Sequence, residues 1–238
     1  MKIINPTVTL VTYTPNPEQL IERMGRVCYQ STHKIPICPK CNGSGIIDSP
    51  FQDNPHMVWT IECCDCHGLK TDKQSAIKFV NMIKTNGHES VLEHASASFS
   101  VVCDRGVTHE AVRHRIASFS QESTRYCNYF KEQFGNEITV IQPPLAFPDV
   151  SNQDFIEAVE FAEKKYFKLL ANGEKPEIAR SILPTCLKAE IGITANFREW
   201  RHFLKLRTSP KAHPQMREIA NRIREELLSI SEVCFNDV

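Results

Sequence analysis

Two cysteine pairs, Cys38-Pro-Lys-Cys41 and Cys63-Cys-Asp-Cys66, stand 21 residues apart in this 238-residue chain. Two residues between cysteines let both sulfurs of one turn point at a single tetrahedral ion, and two such pairs complete a four-thiolate set. Glycines at 43 and 68, each two positions after the second cysteine of its pair, permit the tight turns required. Zinc is the expected metal, held by Cys38, Cys41, Cys63 and Cys66; iron, a redox pair or metal-free thiols are the alternatives. Cys64 and His67 compete for the fourth position, though Cys66 has the better spacing. The segment 31–71 breaks the helical code on either side of it and holds five of the ten cysteines, so it reads as an inserted zinc-ribbon-like segment. Residues 57–61 suit one arm of a hairpin within it.

A ribbon of this kind can bind nucleic acid, so its charge matters. From Cys38 to Gly68 there is one Lys and no Arg, against Asp48, Asp53, Glu62 and Asp65, and thiolates add more negative charge. The whole chain is neutral, with 28 basic and 28 acidic side chains. Neither gives the positive field that holds a phosphate backbone, and no nucleic-acid partner is expected. No apolar run approaches a membrane span and the first residues lack a signal-peptide core, so a cytoplasmic, membrane-free protein is expected.

The pattern predicts an α+β fold: a central mixed or antiparallel sheet with flanking helices, one domain over 1–238 with the 31–71 insertion. Strands are expected at 7–13, at 95–103 from strict alternation, and at 137–142. A helix follows Asn16-Pro17, with Leu20, Ile21, Met24 and Val27 as its apolar stripe. Another resumes at Asp72 with Ile77, Val80 and Ile83 on one face. Further helices are expected at 154–170, 178–183, 196–206 and 214–234, the last with Met216, Ile219, Ala220, Ile223 and Leu227 inward. Cys28, Cys103, Cys127, Cys186 and Cys234 suit buried or half-buried sites.

The stretch RHRIASFSQESTR, 113–125, is the densest basic cluster. Placed on a helix over 108–117 capped by Thr108, Val112 and Ile116 face the core while Arg113 and His114 face a cleft. The run 118–124 is polar enough to be a loop returning Ser123 and Arg125 to the same region. Arginine forks and serine hydroxyls suit phosphate or carboxylate oxygens. The plainer reading is a surface helix whose arginines pair with Glu110 and Glu122.

Arg-His-Arg, seven residues, Ser, one residue, Arg resembles the signature of the flavin-dependent thymidylate synthases. GHESVLEHASASFS (87–100), ARSILP (179–184) and NFREWRHFLKLR (196–207) are similar to that family's other motifs, in order. The resemblance covers nearly the whole chain except the ribbon, which is not a general feature of the family. It implies methylation of dUMP to dTMP, with methylenetetrahydrofolate as carbon donor and NADPH-reduced FAD as hydride source. It implies a homotetramer with shared active sites. By position it puts His88, Ser90, Arg113, His114, Arg115, Gln121, Asn196, Arg198 and His202 at FAD, with Cys28 near the flavin. It puts Glu110, Arg113, Gln121, Glu122, Ser123, Thr124, Arg125, Arg180 and Arg207 at dUMP. Arg207 is the implied catalytic group, a cation beside the pyrimidine N3 that favours its anion. Glu110 stands where Gln is expected, and would repel a phosphate unless Arg113 or His114 compensates. A catalytically inactive nucleotide- or flavin-binding regulator of the same fold remains the alternative.

Overall fold

The structure is a computed structural model that describes residues 1–51 and 54–238. Asp53, counted above among the ribbon's acidic residues, lies outside the described residues. In chain order the strands are β1 (Lys2–Ile4), β2 (Thr7–Tyr13), β3 (Ile46–Phe51), β4 (Asn54–Glu62), β5 (Ser96–Asp104), β6 (Ala117–Gln121), β7 (Thr139–Ile141) and β8 (Lys188–Asn196). The α-helices are α1 (Pro17–Val27), α2 (Lys73–Thr85), α3 (Arg105–Ala111), α4 (Pro148–Ala171), α5 (Pro176–Ala179), α6 (Phe197–Arg207), α7 (Pro214–Ile230) and α8 (Glu232–Phe235). They form two compact units.

The first unit comprises Met1–Val11, Ser98–Ala195 and His202–Ile223. It is built on a sheet of order β2-β5-β8-β6, in which β6 runs antiparallel to β8 from Ala117↔Ala195 to Gln121↔Ile191. Alternate residues of β5 and β8 are buried, among them Phe99, Val101, Ile191 and Ile193. The opposite rows are polar and bond across strands, Ser98 to Thr194 at 2.8 Å and Ser100 to Glu190 at 2.7 Å. A second pair, β1 parallel to β7, lies by a cluster of Tyr129, Ile138, Val140, Val159, Tyr166 and Leu187. Each fully buried large side chain there stabilises by about 1.5–3 kcal/mol.

The second unit comprises Thr12–Ala97, Asn196–Arg201 and Arg224–Val238. Helix α1 packs on α2, and α2 on α8, over buried Ile21, Val80, Ile83 and Phe235. Asp72 caps α2 by accepting the N–H groups of Gln74 and Ser75. Trp200 is buried and donates its indole N–H to the Ala97 carbonyl at 3.0 Å.

The α+β class with helices flanking a sheet is what the structure has, but several local expectations change. Helix α3 starts at Arg105, because Asp104 rather than Thr108 is its cap, and ends at Ala111. The helical wheel over 108–117 therefore fails: Val112 is 40% exposed and Ile116 69% exposed. His114, expected in a cleft or solvent, is buried instead. The supposed loop at 118–124 begins as strand β6, because its serines alternate with Ala117 and Phe119 against β8. On α1 the buried face carries Glu18, Gln19 and Glu22 beside Ile21, while Val27 is exposed. Those acids have partners: Glu22 accepts Arg26 and Ser75, and Glu18 accepts the Ser231 hydroxyl at 2.6 Å. Cys28, expected at least half-buried, is exposed. Strand β8 was not among the expected strands, and α4 begins six residues before the expected start.

Candidate active site

The first unit gathers the basic motif around one arginine. Asp104 accepts the Val107 N–H at 2.7 Å and starts α3; the end of that helix at Ala111 lets the chain turn and drop His114 inward. The His114 ring lies 4.9 Å from that of Phe203 and 5.6 Å from that of His202. Arg207, on α6, donates from Nε to His114 Nε2 at 3.1 Å. While that bond stands, the imidazole is neutral, with its proton on Nδ1. Arg207 also donates from Nη1 to the Glu110 carboxylate at 2.8 Å and from Nη2 to the Glu110 carbonyl at 3.0 Å. Three of its N–H groups are thus directed at α3 and the following turn, and among the described residues no partner takes the remaining two. Glu110 is compensated by Arg207.

The rest of the motif divides into smaller groups. Gln121 donates to the Thr108 hydroxyl at 3.0 Å. Glu122 is committed to the fold: Lys188 at 2.7 Å, the Tyr129 hydroxyl at 2.9 Å and the Glu190 N–H at 3.3 Å all donate to it. Burial and the Glu122 charge push the Tyr129 hydroxyl well above its ordinary range, so it stays a proton donor. Ser123 opens a turn, its carbonyl accepting the N–H groups of Tyr126 and Cys127. Buried Thr124 accepts from Arg180 Nη1 at 3.0 Å. Arg125 is exposed, its guanidinium 5.5 Å from the Tyr126 ring centre. Arg113 and Arg115 are exposed and line a recess of about 470 Å³ with His109 and Val112. Among the described residues no hydrogen bond or ion pair joins Arg180 or Arg113 to Arg207.

The second unit carries a larger cleft, of about 950 Å³. His88 and Ser90 line it and are exposed, as does Cys28. Its other walls include Arg26, Lys34, Lys78, Phe79 and Ile83. Asn196 serves as a helix cap, accepting the Glu199 N–H at 2.9 Å. Arg198 is exposed and paired with Glu93 at 2.6 Å, a contact that raises its pKa. The basic residues of the cleft carried no motif in the sequence, and no signal there marked them.

Residues 9–231 match the model of the family described as "Thymidylate synthase complementing protein". The chain belongs to this family. Similar curated proteins are the flavin-dependent thymidylate synthases of Clostridium tetani, 28% identical over 98% of this chain and 87% of that protein, and of Geobacter sulfurreducens, 28% identical over 97% and 85%. That of Pyrococcus abyssi is 38% identical over 62% of this chain and 60% of its own length. The crystal structure of the UMP/dUMP methylase PolB from Streptomyces cacaoi, bound with 5-Br dUMP, is 22% identical. It superposes with a TM-score of 0.72 over 99% of this chain and 96% of that one, a likeness of fold.

This member of the family also has the four-cysteine centre. The sulfurs of Cys38, Cys41, Cys63 and Cys66 all lie within 4.8 Å of one another. Cys38 is 3.8 Å from Cys63, and Cys41 is 3.6 Å from Cys66. A tetrahedral ion with bonds of about 2.3 Å needs sulfurs about 3.8 Å apart, so the set fits zinc. The two halves share one backbone shape: φ is positive at Asn42 and Gly43 after the first pair and at His67 and Gly68 after the second. Burial raises the Cys41 thiol, but hydrogen bonds led by the Gly45 N–H outweigh it and bring its pKa to about 6. Burial pushes Cys66 up to about 12. Four ionised sulfurs this close would repel one another, and a shared cation removes that repulsion. Cys64 is exposed, 2.8 Å from Lys40, and His67 is exposed beside Glu62, so neither joins the cluster. Outside the centre, burial pushes Cys103 and Cys234 up to about 12 and Cys186 up to about 11, which leaves these thiols unreactive.

Proposed function

We propose that this protein converts dUMP to dTMP by reductive methylation, with methylenetetrahydrofolate as carbon donor and NADPH as reductant of bound FAD. One observation carries the reading: Arg207, 93 residues beyond His114 in sequence, is held between His114 and Glu110 with N–H groups to spare. A fixed guanidinium beside the pyrimidine N3 favours the N3 anion, and delocalisation of that charge makes C5 the nucleophile toward the one-carbon unit. His114 and Glu110 hold Arg207 in the plane its two remaining N–H groups need. Arg180, through Thr124, and Arg125, on the turn after Ser123, offer further donors suited to the nucleotide phosphate. FAD, when bound, supplies the hydride that completes the methyl group. The cleft of the second unit suits a planar aromatic cofactor, with Phe79 and Ile83 as apolar wall and His88 and Ser90 at its edge.

The family resemblance supports a homotetramer in the cytoplasm. No helix among the described residues is long and apolar enough to cross a membrane. Zinc at the four cysteines is part of the same reading.

The test is an absorption spectrum of the purified protein under anaerobic conditions, then addition of NADPH, methylenetetrahydrofolate and dUMP. Flavin absorbance that bleaches with NADPH, followed by dTMP formation, is the expected result. A protein that neither carries nor takes up flavin would overturn the proposal. Flavin and dUMP binding without dTMP would identify an inactive nucleotide-binding relative. Metal analysis should return about one zinc per chain.

A further inference from the structure

The cleft of the second unit has a one-sided charge. Arg26, Lys34, Lys78 and His88 are among its lining residues, and among the described residues no Asp or Glu is. Arg26 is partly spent, paired with Glu22 at 2.7 Å and lying 5.2 Å from the Phe79 ring centre. Lys34 and Lys78 are exposed ammonium groups. Met82, Ile83 and Val91 make part of the wall apolar. Such a surface suits a flat aromatic ligand with an anionic tail.

Lys34 belongs to the inserted segment, and the segment is tied at both ends. Ser31 donates its N–H to the Arg26 carbonyl at 3.0 Å, and the Lys34 N–H goes to the Ser31 carbonyl at 2.9 Å. Farther on, the Pro36 carbonyl accepts the Asp72 N–H at 2.9 Å, Ile37 bridges to Thr71, and the Cys38 N–H donates to the Lys70 carbonyl at 2.8 Å. Gly43, in the first knuckle with φ +78°, lies so close to Ile37 that a Cβ there would meet its Cγ2 at 3.3 Å. The four-cysteine centre is thus four residues from Lys34 along a pinned chain.

We propose that the inserted segment completes an anion-binding wall of this cleft, Lys34 with Lys78 holding the phosphate or carboxylate tail of an aromatic cofactor or co-substrate while the four-cysteine centre fixes Lys34 in place. This rests on the reading of the cleft as a cofactor site. The tail can be the pyrophosphate of FAD, the phosphates of NADPH or the glutamate carboxylates of methylenetetrahydrofolate, which share one chemistry.

The experiment measures binding of each of the three compounds, and of phosphate-free riboflavin, to four proteins. These are the wild type, Lys34→Ala, Lys78→Ala and wild type stripped of metal by a chelator, with circular dichroism as a check on folding. The expected result is that one of the three compounds binds about tenfold more weakly to both variants and to the stripped protein. Riboflavin binding stays unchanged. Equal affinity of Lys34→Ala and the wild type for all three would overturn the anion-binding wall. A loss in Lys34→Ala without a loss on stripping would overturn the coupling to the metal centre. A wild type that binds none of the three fails the function proposed above, and this inference falls with it.

Discussion

Arg201 and Arg207 stand six residues apart on α6, and their surroundings differ completely. Arg201, in the second unit, is 2% exposed and its terminal nitrogens bond within that unit: Nη1 donates to the Cys234 carbonyl at 2.5 Å and to Asp237 at 2.6 Å, Nη2 to Asp237 at 2.8 Å and Glu89 at 3.2 Å. Arg207, in the first unit, is half-buried and keeps N–H groups for something else. A guanidinium whose two terminal nitrogens are both taken by carboxylates and a backbone carbonyl is a keystone of the fold. One held on a single side by a carboxylate and a neutral imidazole is a tool for a ligand.

Breaking the keystone should have the largest effect. Arg201→Ala empties a buried site and takes a donor from the Cys234 carbonyl and from Glu89, while Asp237 keeps Lys84 at 2.7 Å; it should cost about 2–4 kcal/mol of stability, read by chemical denaturation. Arg207→Ala should leave the midpoint of that denaturation near the wild-type value and lower kcat for dTMP by about 100-fold. If Arg207→Ala unfolds the protein instead, the division between the two arginines is wrong. Asp237→Asn tests the keystone more gently. Hydrogen bonds from Arg201, then from Lys84, hold the Asp237 carboxyl far below the usual carboxylate range, against its desolvation. Because the folded pKa lies below the unfolded one, the stabilisation is present above about pH 4 and is lost as pH falls below that. The carboxylate is 47% exposed and screened, so the substitution should cost about 1 kcal/mol at pH 7 and progressively less as pH falls below about 4. Glu110→Gln should have the smallest effect. It keeps an acceptor for Arg207 but removes a negative charge, so KM for dUMP should fall about two- to fivefold, more at low salt than at high. An unchanged KM would place Glu110 away from the substrate phosphate.

The sequence had marked Arg207 through its motif, and it passed over Arg201 in the same motif. Nothing local distinguishes them. The partners that make Arg201 structural, Glu89 and Asp237, lie 112 and 36 residues away. The same limit explains the miss at Val112 and Ile116. A helical wheel is sound only while the helix lasts, and Asp104 moved its start so that it ended at Ala111. Strand β5 was legible because alternation within one strand is a local property. The alternation of β8 is as regular, with Ala189, Ile191, Ile193 and Ala195 buried, but it went unread between two helical motifs.

By itself the sequence determined the α+β class, the family motifs and the two cysteine knuckles, because each depends on residue type at short, fixed spacing. Spacing favoured Cys66 over Cys64 and His67, but the gathering of four sulfurs within 4.8 Å of one another belonged to the tertiary structure. So did the neutralisation of Glu110 by an arginine 97 residues away, and the placing of Lys34 on a cleft wall. Spacing fixes which way neighbouring side chains point; only the folded chain fixes which distant charge meets them.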